Sequence, residues 1–231
     1  MSKVDLQPPP SAAPPDATSE RILDIAERLL AEHGVTGTSV RMITEKANVN
    51  VAAVNYHFGT KEHLVRAVIA RRLSGIEAAR AEAFDALDAR TAREGRVATV
   101  VEIVEALIAP IMAQALEQHS GWPYFIRFIS RLAWEPGAEA FAPPESSLRM
   151  FERIDRALEQ ALPHLAGDPA RRLWRMTFLR GATQHTLMLI TALRAERIPS
   201  NVPIAGMLAG TDIETTKREL IAFLAGGLSA H

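Results

Sequence analysis

Cysteine is missing from all 231 residues, which excludes disulfides and thiolate-bound metals and leaves His, Asp and Glu as the only ligands for a metal. Neither sign of charge is in excess: 26 Lys and Arg face 27 Asp and Glu, a net −1, so the chain as a whole is not built to coat nucleic acid. No long uninterrupted apolar run occurs. The most apolar stretch, residues 97–116, is broken by Glu102, Glu105 and Pro110, which argues against a membrane span. There is no alternating strand pattern and no Asn-Gly hairpin signal. Also lacking are G-x-S-x-G, H-E-x-x-H, a bundle-type E-x-x-H and a Gly-rich phosphate loop, while His119, His164 and His185 are scattered. An α-helical enzyme is therefore the rival reading with the least support, and no cofactor is expected. Aromatics are scarce at 6%, which makes any cluster of them informative.

The 48% apolar content that is present supports a real core, in one large domain or two modest ones. Residues 1–17 contain Pro8, Pro9, Pro10, Pro14 and Pro15 among small polar neighbours and lack the apolar core of a secretory signal; a disordered, polyproline-leaning arm on a soluble, cytoplasmic protein is expected. Everything after it reads as helix. The first helix is expected over 19–33, capped by Thr18, with Ile22, Ile25, Ala26, Leu29 and Leu30 on one face, and with Gly34 as its left-handed stop.

Three short capped segments follow. Thr38 is expected to cap a helix over 39–47 stopped by Asn48; Asn50 caps one over 51–57 ended by Gly59; Thr60 caps a fourth from Lys61 to about Leu87. Helices this short need mutual packing, so residues 18–72 form one unit, with Val49, Val54 and Phe58 in its core. Five further helices are expected over 97–118 (kinked at Pro110), 123–134, 146–162, 170–194 and 211–228. Loops are expected at 135–145 and 196–210, giving an all-α protein of about nine helices.

Charge is unevenly distributed. Between Thr38 and Arg72 the cations Arg41, Lys46, Lys61, Arg66, Arg71 and Arg72 outnumber Glu45 and Glu62, a local +4 against −5 for the rest. Such asymmetry fits one segment that meets a polyanion, and it equally fits an ordinary solvated helix surface. Two short helices across a tight turn, 38–47 and 50–57, have the spacing that lays the second in a major groove while the first crosses the backbone.

The run TSVRMITEKANVNVAAVNYHFGTKEHLVRAV resembles the TetR family of bacterial repressors, and the specific likeness covers residues 20–72. The resemblance implies a homodimer that binds palindromic double-stranded operator DNA and is released by a small molecule in the C-terminal domain. It places Arg41 on a base edge, Thr38, Tyr56 and Lys61 on phosphate, and Val51, Ala52 and Ala53 against the groove floor. Asn55 stands where the family often has Tyr, and either reads adenine or remains solvated. His63, Arg66, Arg71 and Arg72 read as a solvated face.

For residues 73–231 the resemblance implies an effector-binding and dimerisation domain. The segments YFIRFISRLA and RLWRMTFLRGA are similar, more weakly, to fatty-acid-responsive members, which points to an apolar effector such as a fatty acyl chain or acyl-CoA. Candidate lining residues are Tyr124, Phe128, Trp134, Trp174, Phe178 and Met188, with core packing as the competing role for each. Arg127 and Arg131 are candidates for its headgroup, and Arg131 with Glu135 equally makes a surface pair. A DNA-binding regulator without an effector remains the third reading.

Overall fold

Local chemistry sets most of the helix ends. The structure, a computed structural model, describes residues 17–116, 121–141, 145–194 and 212–230. Among the described residues there are nine α-helices and no strand: α1 Ala17–Gly37, α2 Val40–Ala47, α3 Val51–Phe58, α4 Lys61–Glu94, α5 Val100–Leu116, α6 Trp122–Leu132, α7 Glu145–Ala161, α8 Pro169–Arg194 and α9 Ile213–Ser229, with short 3-10 turns at Ala138–Phe141 and Pro163–Leu165. The Pro-rich arm before Ala17 and the expected loop at 196–210 lie outside the described residues.

Asn50 caps α3 by accepting from the Ala53 amide, Thr60 caps α4 by accepting from His63, and Asn48 ends α2 in the left-handed conformation, all as expected. Several boundaries differ. Thr18 lies inside α1 rather than before it. Gly34 does adopt a positive φ, 74°, but helical turns resume and α1 reaches Gly37. The cap of α2 is Ser39, whose hydroxyl accepts from Met42. Helix α5 starts at Val100 because Thr99 and Glu102 form a reciprocal capping box: the Thr99 amide donates to Glu102 and the Glu102 amide to the Thr99 hydroxyl. Asp212 likewise starts α9 at Ile213.

Helix α4 runs past Leu87 to Glu94 and is about 50 Å long at roughly 1.5 Å per residue. The expected division at residue 72 therefore falls within a continuous helix. The apolar core is also continuous, from Ile22, Leu29, Ile43 and Val54 near the N-terminus to Phe84, Met112, Phe128 and Ile154 further on. The short helices are anchored by α1, which packs on α2, α3, α4 and, most extensively, α6. Helix α5 continues through Pro110, and close to the carbonyl that this proline leaves without an intrahelical donor, the Leu107 oxygen accepts from Arg80 Nε at 2.9 Å. Burial lowers the Arg80 guanidinium to about 10. No described helix is long and apolar enough to cross a membrane.

Candidate nucleic-acid interface

Helices α2 and α3 are held at their inner faces by Ile43, Ala47 and Val54, all buried, with Val49 and Phe58 packed against the same core. Amphipathic geometry then turns the remaining residues outward. Val51, Ala52, Asn55 and Tyr56 are exposed on α3, Ala53 is half-buried, and Tyr56 is 86% exposed with its ring edge-on to His57 at 5.1 Å. An exposed tyrosine of this kind, supported on one side only by a neighbouring ring, leaves its hydroxyl open to a partner. Small residues at the start of α3 leave its backbone close to whatever lies against it.

Arg41 projects from α2, and its Nε donates to Glu45 Oε1 at 2.8 Å, so the terminal nitrogens of the fork remain open. The Glu45 contact raises the Arg41 pKa above its ordinary value. Lys61, half-buried, opens α4. The helix N-terminus there is already served by an anion: Glu62 accepts from its own backbone amide and from the Thr60 hydroxyl, which holds its carboxyl below the usual range. A phosphate at this end has to compete with that carboxylate.

Arg41 stands on α2, Val51, Ala52, Ala53, Asn55 and Tyr56 on α3, and Lys61 at the first residue of the long helix α4. Thr38 is 1% exposed and its hydroxyl donates to the Gly34 carbonyl at 2.7 Å, so, contrary to expectation, that hydroxyl is not presented to a phosphate. Arg71 and Arg72 are not a solvated face: Arg71 donates to Glu20, Asp24 and Glu27, and Arg72 donates through two nitrogens to Glu27, at 2.7–3.1 Å. Glu27 is 2% exposed and sits between both guanidiniums, while Arg72 also lies over the Trp122 ring. Arg66 donates to the Ala140 carbonyl. Three of the six cations thus brace α4 against α1 and the later helices, leaving Arg41, Lys46 and Lys61 for an outside partner.

The six effector candidates do not surround one cavity. Phe128 is fully buried in the core, and half-buried Tyr124 lies beneath Arg28 in a polar hollow of about 220 Å³ shared with Glu20, Glu27 and Arg71. Trp134 is almost fully exposed beyond the end of α6. Trp174 and Phe178 stack on the outer surface of α8 at 5.9 Å, and Met188 is exposed further along it. The reason is that α8 is apolar on two sides: Leu179 and Leu187 face inward, whereas Leu173, Trp174 and Phe178 face out. Phe178 and Phe223 of α9 flank an apolar groove of about 260 Å³ between the two helices. Arg131 is engaged with Glu135 and the Glu32 carbonyl. No group of three or more metal-binding side chains occurs among the described residues.

These features define an all-α protein with a helix-turn-helix head whose reading face is open. Residues 22–68 match the model for bacterial regulatory proteins of the tetR family, and residues 105–227 match that for the tetracyclin repressor-like C-terminal domain. The chain belongs to the TetR family of transcriptional regulators, which are not enzymes. It is 40% identical over 57 residues to the uncharacterized HTH-type transcriptional regulator YvkB of Bacillus subtilis (strain 168), a match spanning 25% of this chain and 30% of that relative. In fold it resembles the ketosteroid transcriptional regulator KstR2 of Mycobacterium tuberculosis (TM-score 0.59, 18% identity, 95% of this chain and 99% of that one). It also resembles a TetR-like transcriptional regulator from Rhodococcus sp. RHA1 (TM-score 0.55, 17% identity, 95% and 100%).

Proposed function

We propose that the chain is a cytoplasmic transcriptional repressor that binds palindromic operator DNA as a homodimer and leaves it when a small apolar effector binds. The observation that carries this reading is the open face of α2 and α3, where Arg41, Val51, Ala52, Asn55 and Tyr56 are presented by two capped helices with Lys61 at the next helix start. The Arg41 fork suits guanine O6 and N7, Val51 suits a thymine methyl, and Tyr56 and Lys61 suit phosphate. Arg41→Ala should then weaken operator binding by about 1–3 kcal/mol and relax preference at one position, while Lys61→Ala should weaken all sequences and lower the salt slope by about 1. Equal losses on operator and random DNA for Arg41→Ala would remove the base-reading role.

Dimerisation is supported by the exposed Leu173, Trp174 and Phe178 of α8 and Phe223 of α9, where Trp174 stacks on Phe178 and Phe178 shares a groove with Phe223. Two linked heads are what a two-fold operator requires. Effector binding is assigned to residues 73–231, with fatty acyl chains and acyl-CoAs favoured by the likeness of the segments YFIRFISRLA and RLWRMTFLRGA to fatty-acid-responsive members of the family. Release of labelled operator on titrating acyl chains of increasing length tests this. No release at any length would remove the acyl class and leave DNA binding standing.

A further inference from the structure

We infer that Glu135, which follows α6 in the C-terminal half, is a positioning residue for DNA binding: it holds the corner between α1 and α2 from which Arg41 projects. The inference rests on the DNA-binding reading above. At Gly34 the chain turns to φ 74°, which interrupts the α1 hydrogen-bond ladder and leaves the following amides without helical partners. Both are taken by one carboxylate from about a hundred residues away: the Val35 amide donates to Glu135 Oε2 at 2.7 Å and the Thr36 amide to the same oxygen at 3.4 Å.

The other oxygen of Glu135 accepts from Arg131 Nε at 3.1 Å, and Arg131 Nη1 donates to the Glu32 carbonyl at 3.1 Å. The i, i+4 pair at the end of α6 therefore satisfies the break on both sides, acceptor before Gly34 and donors after it. From there the path to the reading face is short. The Thr38 hydroxyl donates to the Gly34 carbonyl, Ser39 caps α2, and Arg41 is two residues further on. Glu135 is largely buried, and the fit at Gly34 is close: a Cβ there would come within 1.9 Å of Glu135 Oε1. A charged acceptor in such a place is strong when its donors are present and costly to leave alone, so the corner has one well-defined arrangement while the carboxylate is in reach.

The test uses the full chain and its selected operator, with affinity read by anisotropy and amide exchange read by NMR. Glu135→Ala should weaken operator binding by about tenfold or more, the size of a lost hydrogen bond to a charged group, and should expose the Val35 and Thr36 amides to exchange. Amides in α8 and α9 should keep their protection. Glu135→Gln, which keeps an oxygen for the Val35 amide, should recover most of the affinity, and it carries the test if the alanine variant fails to fold. Glu135→Ala binding operator as the wild type does, despite faster exchange at Val35, would overturn the inference. So would lost binding with Val35 and Thr36 still protected. A wild-type chain that binds no duplex would overturn the DNA-binding reading itself.

Discussion

Replacing Phe178 by alanine probes whether the outer face of α8 is covered in solution. Phe178 is 66% exposed in the single chain, stacked on Trp174 and adjoining the groove toward Phe223. With roughly 200 Å² carried by such a side chain, about 130 Å² is open to a partner, worth about 3 kcal/mol at roughly 25 cal/mol per Å². A two-fold interface contains the residue twice, which sets an upper bound of about 6 kcal/mol. Area converts incompletely to association free energy, so a loss of about 2–4 kcal/mol is expected. The dimer dissociation constant should rise by roughly 30- to 700-fold. Sedimentation velocity over a concentration series measures it, with Phe151→Ala on α7, also exposed, as a control that should leave association unchanged. A Phe178→Ala protein that dimerises like the wild type, or a wild type that stays monomeric at high concentration, would mean that this face is not covered by a second copy.

Two further substitutions address the head. Glu27→Ala leaves Arg71 and Arg72 facing each other without the carboxylate between them and should cost about 3–5 kcal/mol in urea unfolding; a cost near zero would mean that Glu20 and Asp24 suffice for Arg71 and that Arg72 is relieved by water. Glu62→Gln removes the carboxylate that competes with phosphate at the start of α4 and should tighten DNA binding by about 2–5-fold at low salt; unchanged or weaker binding would mean that no phosphate docks there.

Where an element is decided by neighbours in the chain, the sequence was legible. Asn48, Asn50, Gly59 and Thr60 have their expected positions because a cap needs only its near neighbours, and Val51, Ala52, Asn55 and Tyr56 stand outward on α3 because Val54 is the residue that faces in. Thr99 and Glu102 carried an equally local signal that the expected start at Val97 overlooked. Thr38 and Ser39 are both competent caps, and the choice fell to the Gly34 carbonyl, which draws the Thr38 hydroxyl away. Distant partners were not legible: Arg71 and Arg72 meet carboxylates some 45–50 residues earlier, and Glu135 meets amides about a hundred residues earlier. The apolar residues of α8 were visible, but a helix apolar on two sides does not reveal which side faces inward. Trp174 and Phe178, expected as candidates for an effector cavity, stand on the outer side of α8, with Phe178 beside the groove toward Phe223.

Selection from random duplex DNA by the 231-residue chain at physiological salt asks whether it reads a two-fold DNA site. The expected result is enrichment of an inverted repeat whose half-sites are centred about one helical turn, or a multiple of it, apart, with the preferred guanine lost when Arg41→Ala replaces the wild type. Enrichment of no sequence, or of a site without two-fold symmetry that Arg41→Ala selects equally well, would contradict it.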